Sequence, residues 1–302
     1  MDKYYTGDPS EIIQMFPKFN LQMLCCRYWW MKNWEHKKLS FPFWRIYNNT
    51  QKGGFMEYNR QVYEMDPDIL YLIAPNTGYS SRLHGNPIPD EGYQLNGGRI
   101  SETTKEEREQ LIRNGAIEHL FIHFTLGYPY DNVSPGIYTF RMNKHLEDRI
   151  KLLREYLTRH VAKFNFTIFL TLQSLICELL FNMGEEKWKY PMRDVRIARI
   201  ISYIENNMNE PFSNESLASL ANMATNSFSR LFKEDTGVTL QTFIKKKRIH
   251  TACLSLLHSE DSIDEIAEKT GFANRYHFTR VFSKVVGNTP ARYRKGSLFP
   301  VD

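Results

Sequence analysis

The chain has 302 residues, enough for two domains or three small ones. At 42% apolar, 24% charged and 14% aromatic it is too apolar for a disordered chain, and a formal charge of +5 is too mild to identify a polyanionic partner. Cys25, Cys26, Cys177 and Cys253 have no metal-ligand spacing and make a poor disulfide framework, so reduced thiols in a cytosolic protein are expected.

Residues 1–16 carry Asp2, Lys3, Asp8 and Glu11 and no apolar core, which argues against an export signal. The longest apolar stretch, Phe164 to Phe181, is interrupted by Asn165, Gln173 and Glu178, whereas a membrane span needs about 20 mostly apolar residues. The expectation is a cytoplasmic chain with no membrane segment.

The first half alternates short aromatic and β-branched runs with turn residues: Phe41–Asn48, Phe55–Tyr58, Gln61–Met65, Ile69–Ala74 and His119–Leu126. Closely spaced antiparallel strands of this kind predict a sandwich or small barrel. Tight turns fall at Asn59-Arg60 and Asp66-Pro67-Asp68. Gly85 to Gly115 reads as an insertion, in which Thr104 and Glu107 form a capping box opening a charged surface helix. Trp29, Trp30, Trp34 and Trp44 suit either core packing or stacking on a sugar or ring. His84 and His123 stand without a His-x-His pair, so no metal, cofactor or catalytic residue is assigned.

Two helical rhythms follow: Leu146, Ile150, Leu153 and Leu157, then Ile168, Leu172, Leu175, Ile176 and Leu179. An antiparallel pair this apolar can seal a homodimer or pack on its own barrel. Gly184 and Pro191 then break the pattern and predict a linker over 183–193.

The last third repeats itself. Phe228, Arg230, Phe232, Gly237, Thr239 and Phe243 fall on Phe278, Arg280, Phe282, Gly287, Thr289 and Tyr293 at an offset of 50, while Leu217-Ala218 fall on Ile266-Ala267 at an offset of 49. Each copy parses as helix, tight turn, helix. Ser213 or Asn214 caps the first copy and the Ser262/Glu265 box the second. Gly237 and Gly287 provide left-handed ends, and Thr289-Pro290 starts a short last helix. Two helices so joined form a helix-turn-helix, whose second helix enters a major groove. Between the copies, Leu240 to Leu257 predicts a rod of about 27 Å, able to set two such helices near the ~34 Å pitch of B-DNA.

Exposed positions early in each second helix select Asn226, Ser227, Ser229 and Arg230 in the first copy, and Arg275, Tyr276, Thr279 and Arg280 in the second, as base readers. Lys233, Lys284 and Arg294 are placed for phosphate. Sixteen basic and twelve acidic residues lie from Arg193 onward, so most of the positive excess is here. Lys245-Lys246-Lys247-Arg248 is either a phosphate-binding run or a solvated helix face.

The segments SLASLANMATNSFSRLFKEDTGVTLQTFIKKKRI and SIDEIAEKTGFANRYHFTRVFSKVVGNTPARYR, within about 194–296, resemble the DNA-binding domain of the AraC/XylS family of transcription regulators. Leu240 departs from the proline more usual in that family. GGFMEYNRQVYEMDPDILYLIAPNTGYSSRLH is similar, more loosely, to the cupin-like sensor half at the front of many members, over about 20–140. The resemblance implies an α+β chain of two domains: a cupin-like barrel (1–142) with a helical dimerisation pair (143–182), and, beyond the linker, an all-α tandem helix-turn-helix domain (194–302). The partners it implies are double-stranded DNA at two adjacent major grooves, a second copy of the chain, a small-molecule effector such as a sugar, and RNA polymerase. Two alternatives use the same residues: a regulator whose first half only dimerises, and a metal-dependent cupin enzyme fused to a DNA-binding domain.

Overall fold

The computed structural model describes residues 20–90, 93–160, 163–188 and 194–295. The opening stretch 1–16 and residues 189–193 of the expected linker lie outside them. The first half is a curled, nine-stranded antiparallel sheet, a half-barrel. Its strands are β1 (Gln22–Leu39), β2 (Trp44–Asn49), β3 (Gly54–Tyr58), β4 (Gln61–Glu64), β5 (Ile69–Ile73), β6 (Tyr79–Leu83), β7 (Tyr93–Arg99), β8 (Ile117–Thr125) and β9 (Ile137–Arg141). They run in the order β4-β3-β6-β1-β8-β2-β5-β9, with β7 also on β1. β1 serves three partners: β8 over Gln22–Met31, β7 over Trp29–His36 and β6 at His36 and Leu39. The β3–β4 turn has Asn59 and Arg60 both at positive φ, +50° and +66°, as a two-residue hairpin with right-handed strand twist requires.

Both faces of this sheet are covered over its central strands, and that explains their sequence. Cys26, Ile46, Leu72, Ile122 and Phe124 face one cluster, while Trp34, Tyr47, Tyr71, Phe121 and Tyr79 face the other. Strands buried on both sides read as continuous apolar runs, and every residue of β2 and β8 is buried. Helices α2 (Lys144–Leu157) and α3 (Phe166–Phe181) cover the first face with the nine apolar side chains their rhythms select. Of the tryptophans, Trp29, Trp34 and Trp44 are core, Trp29 and Trp34 in the aromatic cluster and Trp44 in the other.

The insertion 85–115 is more than decoration. Its β7 completes the pairing of β1, and a Cβ on Gly97 would stand 2.4 Å from the Trp30 carbonyl oxygen, so the close approach of the two strands requires glycine. Its helix α1 (Lys105–Arg113) buries no side chain and opens on the expected Thr104/Glu107 box. Arg108 ties it down, donating through Nε and Nη2 to Glu118 at 3.0 and 2.8 Å.

The last third is all helical: α4 (Val195–Asn206), α5 (Asn214–Leu220), α6 (Thr225–Thr236), α7 (Leu240–His258), α8 (Ile263–Lys269), α9 (Arg275–Val286) and α10 (Pro290–Lys295). Ser213 caps α5, Ser262 and Glu265 box α8, and Gly237 and Gly287 end α6 and α9 at φ +74° and +80°. α7 supplies two cores in succession. Phe243 and Ile244 join Ile200, Leu217, Phe228 and Phe232; Ile249, Ala252 and Leu256 join Ile266, Phe278 and Phe282.

The two halves meet along α7. Leu257 enters the sheet's aromatic cluster, and Phe43 lies 5.3 Å from the His258 ring. Glu205 Oε1 accepts from the Tyr128 amide at 3.2 Å and from Lys247. At the far end the Tyr93 hydroxyl donates to the Lys295 carbonyl.

Candidate DNA interface

Each second helix presents its predicted readers outward because its phenylalanines point inward. Phe228 and Phe232 on α6, and Phe278 and Phe282 on α9, are fully buried four residues apart. That fixes the rotation of each helix. Asn226, Ser227, Arg230 and Lys233 are then exposed, with Ser229 half-buried; Arg275, Tyr276, Arg280 and Lys284 are exposed, with Thr279 half-buried. Tyr276 is 86% exposed at the first turn of α9.

Their local partners are weak. Arg230 Nε lies 4.0 Å from Glu234 one turn on, and Arg275 Nη1 lies 3.0 Å from Asp264 on α8, both pairs in solvent. Exposed pairs of this sort contribute about 0–1 kcal/mol and give way readily to a phosphate or a base edge. Arg294 behaves differently. It is half-buried and donates to the Asp261 carbonyl, so it braces α10 against the loop before α8, and a phosphate contact would require that brace to open. The basic run on α7 also divides. Lys245 and Lys246 are exposed, Lys247 pairs with Glu205, and Arg248 donates to the carbonyls of Gly271 and Glu210, each at 2.7 Å. Sequence reasoning passed over exposed His277 and Arg292 beside the readers, and Glu234, whose charge opposes phosphate. Only their positions on the finished helices reveal them.

Where the sheet meets α7 lies a cavity of about 320 Å³ lined by Met23, Thr125, Asp131, Lys247, His250 and Leu254 among others. Asp131 is held there by the Leu126 and Gly127 amides and by Trp44 Nε1. Burial raises its carboxyl to about 6 against the pull of those donors and of Lys247. Burial, with Lys247 adding to it, drives His250 down to about 3 and keeps its imidazole neutral. His84, by contrast, stays at the edge, with Nε2 2.8 Å from the Gly115 carbonyl oxygen.

Residues 217–296 match the family model described as a helix-turn-helix domain. The bifunctional transcriptional activator/DNA repair enzyme AdaA of Bacillus subtilis is 37% identical over 98 residues, 32% of this chain and 46% of AdaA. The probable transcriptional regulator LumQ of Photobacterium leiognathi is 27% identical over 51% of this chain and 62% of its own length. An uncharacterised HTH-type transcriptional regulator of Staphylococcus aureus, SAS0078, is 27% identical over 62% of this chain. That match spans about a quarter (26%) of the Staphylococcus protein, so the chain covers less than two thirds of each of these relatives. Among solved structures, the DNA-binding domain of AdpA in complex with a target DNA is 28% identical over 34% of this chain and 92% of its own, with a TM-score of 0.33. ToxT of Vibrio cholerae is 12% identical over 93% of this chain and 99% of its own, with a TM-score of 0.48.

Proposed function

We propose that this chain, whose residues 217–296 match a helix-turn-helix family model and which resembles the AraC/XylS regulators there, is a sequence-specific transcription regulator that reads two successive major grooves of one duplex. The observation that carries this reading is the pair of equivalent helices α6 and α9, each turning polar side chains outward from one shared helix, α7. Arg230 and Arg280 are suited to guanine O6 and N7, Asn226 to adenine, and Tyr276 and Thr279 to a thymine methyl; Ser227, Ser229 and Arg275 complete the base-facing set. Lys233 and Lys284 are suited to phosphate. The full chain should bind a site with two half-sites about one helical turn apart, with affinity falling steeply as salt rises. Binding that ignores sequence at every salt concentration would sink the two-groove reading.

The first half acts in this reading as sensor and dimer module of a cytoplasmic regulator, with RNA polymerase as a further partner and no catalytic step. The seam cavity is a suitable place for a small effector, since about 300 Å³ is the lower end of ligand pockets. A metabolite bound there touches both halves and can favour one arrangement of them over another. Among candidate metabolites, one present at 100 times its dissociation constant adds about 2.7 kcal/mol to the stability of the chain; a flat thermal profile across sugars and aromatic acids would favour the dimer-only alternative. For the dimer, Phe166, Leu170 and Phe181 stand 75%, 46% and 86% exposed on the outer face of α3. Leu170→Glu should convert a dimer to monomers in sedimentation, and an unchanged mass would place the dimer seam elsewhere.

A further inference from the structure

His123, solitary in the sequence, is not solitary in space. It sits directly opposite Cys25 in the β1–β8 register, and opposed residues on paired strands project to the same face. Cys26, the next residue, belongs to the opposite face, so the vicinal cysteines divide between two clusters. The third member comes from the other half of the molecule: His258, the last residue of α7, lies with its ring 5.5 Å from that of His123. The Cys25 sulfur and one ring nitrogen from each histidine all lie within 4.8 Å of one another.

We propose that Cys25, His123 and His258 form a site for a borderline-soft divalent ion of the zinc class, which fastens α7 to the sheet. Three observations favour it over simple packing. One thiol and two imidazoles form the ligand set that zinc and cobalt select over magnesium or calcium. His258 Nε2 is buried with no hydrogen-bond partner, a costly state that ligation or a ligand-bound neighbour relieves. The rings packed on the two imidazoles are apolar, Phe43 at 4.9 Å from His123 and 5.3 Å from His258 and Phe121 at 5.4 Å from His123, the kind of shell that limits solvent access to a metal.

Atoms sharing one tetrahedral zinc stand about 3.3–3.6 Å apart, so no separation need close by more than about 1.5 Å, a change within reach of side-chain rotation. Binding displaces the Cys25 proton to solvent and leaves both imidazoles neutral, so the occupied site carries a net charge of +1. Three protein ligands leave a fourth position. His258 also lines the seam cavity, so water or a donor group of a bound molecule can take that position from there. Because the ligands come from β1, β8 and the end of α7, occupancy fixes how the sheet sits on the helix that carries both helix-turn-helix units.

The test uses the full-length, tag-free, reduced chain and cobalt(II) alone. One equivalent should produce a thiolate-to-cobalt charge-transfer band and the intense visible bands of a four-coordinate ion, both erased by zinc. Cys25→Ser should abolish the charge-transfer band, and His258→Gln should weaken binding by about tenfold or more, while Cys26→Ser and Cys177→Ser leave both unchanged. X-ray absorption on the zinc-loaded parent guards against a misfolded variant and should show one sulfur and two imidazoles. A parent without the charge-transfer band, a band that survives Cys25→Ser, or an affinity untouched by His258→Gln would overturn the site. None of these readouts involves DNA, so the site can fail while the DNA-reading function stands.

Discussion

In the first helix-turn-helix unit the chain turns at Asn222, with φ +52°, and enters α6 through Ala224, whose side chain offers no cap. In the second it turns at Gly271, with φ +74°, and enters α9 through Asn274, whose side chain accepts from the His277 amide. The interiors coincide, Phe228 with Phe278 and Phe232 with Phe282, while the outward faces share one arginine, Arg230 with Arg280, and differ around it: Asn226 and Ser227 against Tyr276 and His277. The two copies keep what folds the unit and one outward arginine, and differ in the rest of the outward face. The turns differ for a further reason. A Cβ on Gly271 would stand 2.5 Å from the Met208 carbonyl oxygen and 2.6 Å from the Arg248 guanidinium, which braces the second unit against the approach to the first. Asn222 is exposed, and asparagine tolerates the left-handed region.

The comparison breaks most visibly at these turns. Gly271→Ala should cost about 3 kcal/mol or more, from left-handed strain together with a clash against backbone, whereas Asn222→Gly should move stability by only a few tenths; urea unfolding measures both. Equal effects would mean that the Arg248 brace does not distinguish the units. Next come the outward faces. Arg280→Ala and Arg230→Ala should each lose about 1–3 kcal/mol on a specific site and little on random DNA, and they should relax base preference in different half-sites. Equal losses on specific and random DNA would reduce both arginines to phosphate contacts. The caps give the smallest effect. Asn274→Ala should cost about 1 kcal/mol, and Ala224→Asn should return a similar amount to the first unit, whose cap residue already has extended backbone at φ −65°, ψ 140°. A stable Asn274→Ala chain would show that α9 is held by packing alone.

Legibility followed locality. The helical third could be read because its signals sit within a few residues of one another: capping boxes, left-handed glycines and buried phenylalanines four apart. The structure places the one-residue gain between the two blocks in the turn, four residues between α5 and α6 against five between α8 and α9. In the sheet, strands buried on both faces were legible as apolar runs. β1 was not, because eighteen residues that change partner twice follow no single alternation. β7 was hidden by Gly97 and Gly98, which have no side chain to signal a strand, and β6 by Ser80 and Ser81. The seam was beyond reach for a different reason. Cys25, His123 and His258 stand 98 and 135 residues apart along the chain, and only strand register and the docking of α7 bring them together.

On the proposed two-groove reading, the nineteen residues of α7 have a consequence for the DNA as well as for the protein. A continuous helix of about 28 Å, braced by Arg248 against Gly271 and Glu210, does not stretch or swivel. One base pair inserted between two half-sites turns the second by about 35° around the duplex axis, away from the face it must share with the first. Such a binding site can therefore drift in its letters, losing affinity gradually, but not in its spacing. The intervening base pairs, touched by neither helix, are constrained in number even where they are free in identity.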